Sequence, residues 1–255
     1  MNQIKAVLKI LLALFIVALI VVSIVKMQNR KCSEIQVNLN YEGEHPPLNQ
    51  ESVIALLEQE NIPIIGLELK DIPLEKISET LNKNNFIKET ESIDFKGTTL
   101  TITILLKTLI LHVYPEKGEQ FFIDETGFLL PYSPLVKEKI MVANGAIKEQ
   151  FTPETNVEKD STQLHVLYEI ASAIRKNPFC EAQFCQIYMD KDQEMELIPA
   201  IGQHIVKFGK GDRIEEKLSD IENIYTNVLA YKGMDQYKEL DVRFQNRVIA
   251  KKEKY

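Results

Sequence analysis

The sequence predicts an α+β protein in three parts: a single N-terminal transmembrane helix, a β-α-α-β-β module, and a β-rich domain with an antiparallel sheet and flanking helices. Three observations predict it. Residues 10–25, ILLALFIVALIVVSIV, form one uncharged apolar run. Two short amphipathic helical patterns then lie between alternating apolar runs. Beyond residue 108, alternating runs and turn residues outnumber helical patterns.

The apolar run lacks Gly and Pro, and Ser23 is its only polar side chain. With Ala6 to Lys9 it gives about 20 residues, roughly 30 Å as a helix, which spans a hydrocarbon core. Ile10, Leu14, Val17, Val21 and Val25 mark its length against the lipid bilayer. A cleaved secretory signal would be shorter and end in a small-residue site, whereas the flank reads Lys26-Met27-Gln28-Asn29-Arg30-Lys31. Asn29-Arg30-Lys31 is also too polar to precede a lipoprotein site at Cys32. Lys5 and Lys9 flank one end and Lys26, Arg30 and Lys31 the other, so charge alone leaves the orientation open.

Beyond the span lie about 230 residues, enough for one large domain or two small ones. The formal net charge is −7, which argues against general nucleic-acid binding. Cys32, Cys180 and Cys185 are the only cysteines. A Cys180–Cys185 bridge is conceivable outside the cell, but an offset of five on one strand points the two to opposite faces. Buried free thiols are the preferred reading.

In the module, Glu34 to Tyr41 reads as a strand with Ile35, Val37 and Leu39 on one face. Pro46-Pro47 ends it. Asn49 caps a helix to Gln59 with Val53, Leu56 and Leu57 as its apolar stripe. Asp71-Ile72-Pro73 opens a second helix carrying Leu74, Ile77 and Leu81. Phe86 to Phe95 is extended. Gly97 turns the chain into Thr98 to Val113, where Leu100, Ile102, Ile104 and Leu106 alternate with threonines. The module closes near residue 108.

In the second domain, Phe121 to Phe128 reads as a hairpin turning at Glu125 to Gly127. Ile140 to Ala143 is a short strand. Ser161 to Lys176 is an amphipathic helix with Leu164, Leu167, Tyr168, Ala171 and Ile174 inward, stopped by Asn177-Pro178. Ala182 to Met189 and Glu194 to Pro199 form a hairpin, and Ile205 to Phe208 is a strand. Gly209 and Gly211 are turn residues before a helix to about Ala230, which Gly233 ends. A last strand runs from Tyr237 to about Ala250, with Leu240, Val242 and Phe244 inward and Glu239, Asp241, Arg243 and Gln245 outward.

The boundaries are a tail at 1–9, the helix at 10–25, a juxtamembrane linker at 26–33, the first domain at 34–108, the β domain at 109–252 and a tail at 253–255. Nothing in this order supplies catalysis. His45, His112, His165 and His204 are scattered without zinc-ligand spacing. No nucleophile elbow appears, and the Gly-Lys pair at 209–210 lacks P-loop spacing. Asp190, Asp192, Glu194 and Glu196 alternate, but the calcium-loop glycine and closing glutamate are absent, so a solvated hairpin tip is expected. No catalytic residue, cofactor or metal is expected.

Three stretches resemble a known family. Phe122-Ile123-Asp124-Glu125-Thr126-Gly127, then Leu130-Pro131-Tyr132-Ser133, is similar to an aromatic-x-D-x-x-G and P-x-S opening of a β domain. Glu196-Leu197-Ile198-Pro199 with Ile205 to Gly209 resembles the same family's run into its last helix. Tyr237 to Lys252, with Asp241, Arg243 and Phe244, resembles its closing strand. The family is the bacterial cell-division proteins FtsQ/DivIB, and the likeness covers nearly the whole chain. Lys107-Thr108-Leu109 stands where members often carry Arg and Pro, and Lys251-Lys252-Glu253-Lys254 where some carry a late aromatic.

The resemblance implies that the first module is a POTRA domain. It also implies a cytoplasmic amino terminus and a periplasmic or otherwise extracytoplasmic body, in the inner membrane at the division septum. The implied role is a non-enzymatic scaffold of the divisome in septal cell-wall synthesis. Its partners would be FtsB-like and, through them, FtsL-like bitopic proteins and other divisome components. The implied mechanism is addition of a partner strand to the closing strand, with Asp241, Arg243, Phe244, Gln245, Asn246 and Val248 as partner-binding residues. The alternatives are an ordinary solvated sheet strand, with Arg243 in a surface ion pair, Phe244 in the core and Asn246 at a bulge or turn. At the level of function, the alternative is a membrane-tethered POTRA adaptor in envelope secretion or outer-membrane assembly.

Overall fold

Alternating and helical patterns sort the chain into two compact units that divide between Leu106 and Lys107. The computed structural model describes residues 12, 14–20, 30–43, 46–134, 136, 139–159 and 162–252. Residues 14–20 are helical, with Leu14 and Val17 exposed, while Ile10, Val21 and Val25 lie outside the described residues. No helix among the described residues is long and apolar enough to cross a membrane.

In the first unit, β1 (Glu34–Asn40), α1 (Gln50–Gln59), α2 (Leu74–Asn82), β2 (Ile87–Lys96) and β3 (Thr99–Leu106) follow the expected order. The Asn49 carboxamide oxygen caps α1 by accepting from the Ser52 amide at 2.8 Å. Asp71 ends a short 3-10 turn, and α2 begins after Pro73. The sheet order is β1-β3-β2, with β3 parallel to β1 and antiparallel to β2. Leu100, Ile102 and Ile104 on the central strand are fully buried, together with Val53, Ile77 and Leu81 from the helices. Both helices therefore close one core of a three-stranded sheet.

The run from Thr98 to Val113 is not one strand. It breaks at Lys107-Thr108, and β4 (Leu109–Val113) belongs to the second sheet. There the Thr108 carbonyl accepts from the Glu125 amide at 2.8 Å, and the Lys107 ammonium lies 3.8 Å from the buried Asp124 carboxylate. Those contacts fix the chain to a new partner strand.

The second unit continues with β5 (Phe121–Asp124), β6 (Leu129–Pro131), β7 (Met141–Gly145), α3 (Gln163–Lys176), α4 (Pro178–Gln183), β8 (Phe184–Met189), β9 (Met195–Pro199), β10 (Ile205–Gly209), α5 (Ile214–Ile224), β11 (Tyr237–Asp241) and β12 (Ile249–Lys252). Nine strands form one sheet in the order β12-β11-β10-β9-β8-β7-β4-β5-β6. It is mixed rather than antiparallel: β4 with β7, β7 with β8, and β10 with β11 run parallel. The reason is connectivity. Helices link β7 to β8 and β10 to β11, and a helical crossover returns the chain in the same direction; β4 and β7 are joined instead through the antiparallel β5 and β6. Leu164, Leu167, Ile170 and Ile174 of α3 and Leu218 and Ile221 of α5 share a core with Leu111, Phe121, Ile187, Leu197 and Phe208 of the sheet.

Three local features depart from expectation. Asn177-Pro178 stops α3 but also starts α4, since Pro suits a first helical position and Asn177 caps the Cys180 amide at 3.0 Å. Cys180 is thus on a helix and Cys185 on a strand, and all three cysteines are free. Burial, with the charges of Glu222 and Glu215, pushes the Cys180 thiol up to about 12. Second, the last helix passes through a π turn, Tyr225–Leu229, where the Thr226 hydroxyl donates back to the Glu222 carbonyl at 2.7 Å. Third, Lys217 of α5 is 1% exposed. Its ammonium donates to the Lys210 carbonyl at 2.9 Å and the Asp212 carboxylate at 2.8 Å, over the Phe208 ring. The hydrogen bond from Lys217 outweighs burial and lowers the Asp212 pKa. Gly145 (φ +105) permits the β7–β8 approach: a Cβ there would meet the Met189 carbonyl oxygen at 2.1 Å.

Two stability predictions follow from this packing. Ile102→Ala in the full-length chain is expected to cost about 2–5 kcal/mol by urea denaturation, against about 1 kcal/mol for Asn49→Ala. The second concerns His204, buried with one ring nitrogen on the Tyr225 hydroxyl. Burial, opposed by Asp235, holds its pKa below the ordinary 6.5. The unfolded chain therefore takes up a proton near its ordinary value while the folded ring resists it. That contribution is complete above that pH and shrinks as pH falls. His112 acts in the same direction through burial. The urea midpoint is expected to fall between about pH 7.5 and about pH 5, and His204→Gln to flatten part of the slope.

Candidate functional site

Strand-forming residues at the carboxy terminus end in a hairpin rather than in one long strand. β11 stops at Asp241, residues 242–248 reverse the chain, and β12 returns antiparallel beside β11. Glu239 faces Lys251, Leu240 faces Ala250 and Asp241 faces Ile249. The edge of β11 expected to be open is therefore covered by residues 249–252 of the same chain. β12 becomes the outermost strand, paired on one side and exposed at all four residues.

Each candidate residue takes a new position. Asp241 was expected to face outward but is only 4% exposed. Its carboxylate accepts from the Arg243 amide at 3.2 Å, from Nε at 2.9 Å and from Nη2 at 2.7 Å. Arg243 Nη1 donates to Glu194 at 2.6 Å in the β8–β9 turn, and the Arg243 carbonyl accepts from Arg213 at 2.9 Å. Burial opposes the Asp241 charge, but the fork of Arg243 outweighs it and holds the carboxyl below its usual value. The Asp241 hydrogen bond in turn raises the Arg243 pKa. The stem of Arg243 lies against Gly209 (φ +77), where a Cβ would stand 2.8 Å from Cγ. Arg243 is thus a latch tying the hairpin to β9, β10 and the start of α5.

Phe244 was expected inward and is 37% exposed, with the Arg247 guanidinium 4.8 Å from its ring centre. Gln245 is exposed. Asn246 (φ +58) occupies the left-handed region that Asn tolerates and makes the turn. Val248 packs against the core. The period-two pattern runs through Phe244, but Gln245-Asn246 was the signal that reverses it. Asp241 and Val248 anchor the hairpin from within, whereas Phe244, Gln245 and Asn246 stand in solvent beside the start of β12.

Elsewhere the motif-bearing stretches are structural. Asp124 Oδ1 accepts from the Thr126 and Phe128 amides at 2.9 and 3.0 Å, so the D-x-x-G sequence is a turn closed by its own carboxylate. Asp190 Oδ1 likewise accepts from the Asp192 and Glu194 amides at 2.8 and 2.9 Å. Among the described residues no group of three or more His, Cys, Asp or Glu is arranged to hold a metal ion. The sequence concealed Lys217, which lies on what reads as a polar helix face.

Removing the latch leaves the Asp241 carboxylate buried without its cation. Arg243→Ala is expected to lower stability by about 1–3 kcal/mol, seen as a lower urea midpoint. Arg243→Lys, which lacks the fork, is expected to recover only part of this.

Comparison with known families agrees with this architecture. Residues 30–105 match the POTRA-like domain, and residues 108–251 match FtsQ/DivIB, C-terminal related. No curated protein matches the chain. Because the second match spans more than half of the sequence and covers the mixed sheet with its closing hairpin, the chain belongs to the FtsQ/DivIB family.

Proposed function

We propose that this chain is a membrane-anchored, non-enzymatic scaffold of the bacterial divisome that receives a strand of a partner protein on the outer edge of β12. The coarser part, a division-associated scaffold, follows from the two family matches. The finer part rests on one observation: β12 is the terminal strand of a nine-stranded sheet and is exposed throughout. A strand in that position presents unpaired N–H and C=O groups, and an extended segment completes the ladder with main-chain hydrogen bonds.

The side chains supply selection. Lys251 pairs with Glu239 at 2.5 Å, and Lys252 follows it at the rim. Lysines on an open edge discourage pairing between two copies and favour a segment of opposite charge. Phe244, Gln245 and Asn246 form a second contact beside the rim, while Asp241 and Arg243 act by holding the hairpin in place. The expected partner is an FtsB-like bitopic protein, with an FtsL-like protein bound through it. The apolar run at residues 10–25 would tether the body in the inner membrane, with the amino terminus cytoplasmic and both folded units extracytoplasmic at the septum.

The test uses the full chain in detergent with a peptide from the extracytoplasmic end of an FtsB-like protein. Successive residues of a strand point their N–H groups to opposite sides, so one of Ala250→Pro and Lys251→Pro removes an outward donor. At least one variant that keeps its melting transition is expected to lose about tenfold or more in affinity. Unchanged binding by both folded variants overturns strand addition at this edge. A tagged chain spread evenly around the envelope, instead of gathered at the septum, favours the POTRA adaptor reading.

A further inference from the structure

At the opposite side of the nine-stranded sheet, near β4, β5 and β6, lies a cleft of about 480 Å³ lined by Tyr114, Pro115, Gly118, Glu119, Gln120 and Tyr132. Tyr114 follows β4 and Tyr132 follows β6, and each is 43% exposed. Their rings are packed from behind. His112 lies 4.4 Å from the Tyr114 ring centre and 5.9 Å from that of Tyr132, nearly parallel to the latter at 14°. The buried Phe122 stacks on Tyr132 at 6.0 Å. The connecting loop is fixed too: the Tyr114 amide donates to the Ala143 carbonyl and the Glu116 amide to the Ile147 carbonyl, both at 2.8 Å. Two aromatic faces are therefore held by their neighbours and left bare in front.

We infer that this cleft docks a proline-rich segment of a partner protein, in the polyproline II conformation, with a Lys or Arg beside its prolines. A polyproline II chain has no internal hydrogen bonds, so it offers flat prolyl rings and unpaired carbonyls. Rigid tyrosines and a proline match the rings, and tyrosine hydroxyls donate to the carbonyls. Because both sides are ordered beforehand, little conformational entropy is lost on docking. Glu116 and Glu119, against Lys117, leave the loop 114–120 with an excess of negative charge suited to a basic neighbour. Aromatic faces also receive sugar rings, but a sugar needs several polar side chains at fixed points. Here Gln120 Oε1 is turned out of reach of solvent.

The test measures fluorescence anisotropy of a labelled decaproline peptide ending in Arg, added to the full chain in detergent. A Gly-Ser peptide of equal length and charge is the comparison, and unlabelled chitotriose is a competitor. Saturable binding of the decaproline probe is expected, weakened about tenfold or more by Tyr114→Ala and by Tyr132→Ala. Tyr→Leu at either position keeps apolar bulk but removes the flat face, and serves where an alanine variant loses its melting transition. Glu119→Gln is expected to weaken the Arg-bearing probe by about threefold and to leave uncharged decaproline unchanged. Absence of saturable binding, equal binding of the Gly-Ser peptide, displacement by chitotriose, or unchanged binding by folded tyrosine variants overturns the inference. Neither the probe nor the variants involve β12, so the outcome is independent of strand addition there.

Discussion

A buried carboxylate at the end of β11 must find a cation, and the way Asp241 finds one decides the form of the candidate partner edge. The cation is Arg243, two residues later, whose fork binds Asp241 while a third nitrogen reaches Glu194. To do this the chain must leave the strand direction at Val242. Gly209 makes room for the arginine stem, and Arg213, itself at a left-handed φ of 49°, secures the carbonyl. With those contacts made, residues 244–247 can only turn, and residues 249–252 fall beside β11. The position of the outermost strand is thus a consequence of charge satisfaction in the layer beneath it.

The same logic runs through the rest of the second unit. Asp124 and Asp190 each fold their own turns by accepting backbone amides, and Lys217 closes the turn at 210–212 from below. None of these groups requires a substrate. They place loops so that the sheet can extend through nine strands, with parallel pairs wherever a helix intervenes.

Much of this was legible in the sequence. The first unit followed from Asn49, Pro73 and the alternation of Leu100, Ile102 and Ile104, because each is a local signal whose tertiary setting agrees with it. What could not be read were decisions made by distant partners. Thr98 to Val113 carries no Gly or Pro to break it, yet it divides because Thr108 and Lys107 meet a turn seventeen residues on. Asn177-Pro178 reads equally as a stop and a start. A period of two puts Asp241 outward and Phe244 inward, and that period fails where Arg243 pulls the backbone aside. Lys217 looks solvated until Asp212 and Phe208 are brought around it. The pattern read as one closing strand is therefore a hairpin, and the outermost strand is residues 249–252 rather than residues 237–241.

The outermost strand has four residues and touches the sheet along one side. A ribbon so short and so lightly held is the part of the sheet most prone to fray, since local opening is easiest where few apolar contacts are lost. Anything docking there must first quiet that motion. Part of the gross attraction of a strand added there would go into settling the host, so its net affinity would fall below what its area suggests.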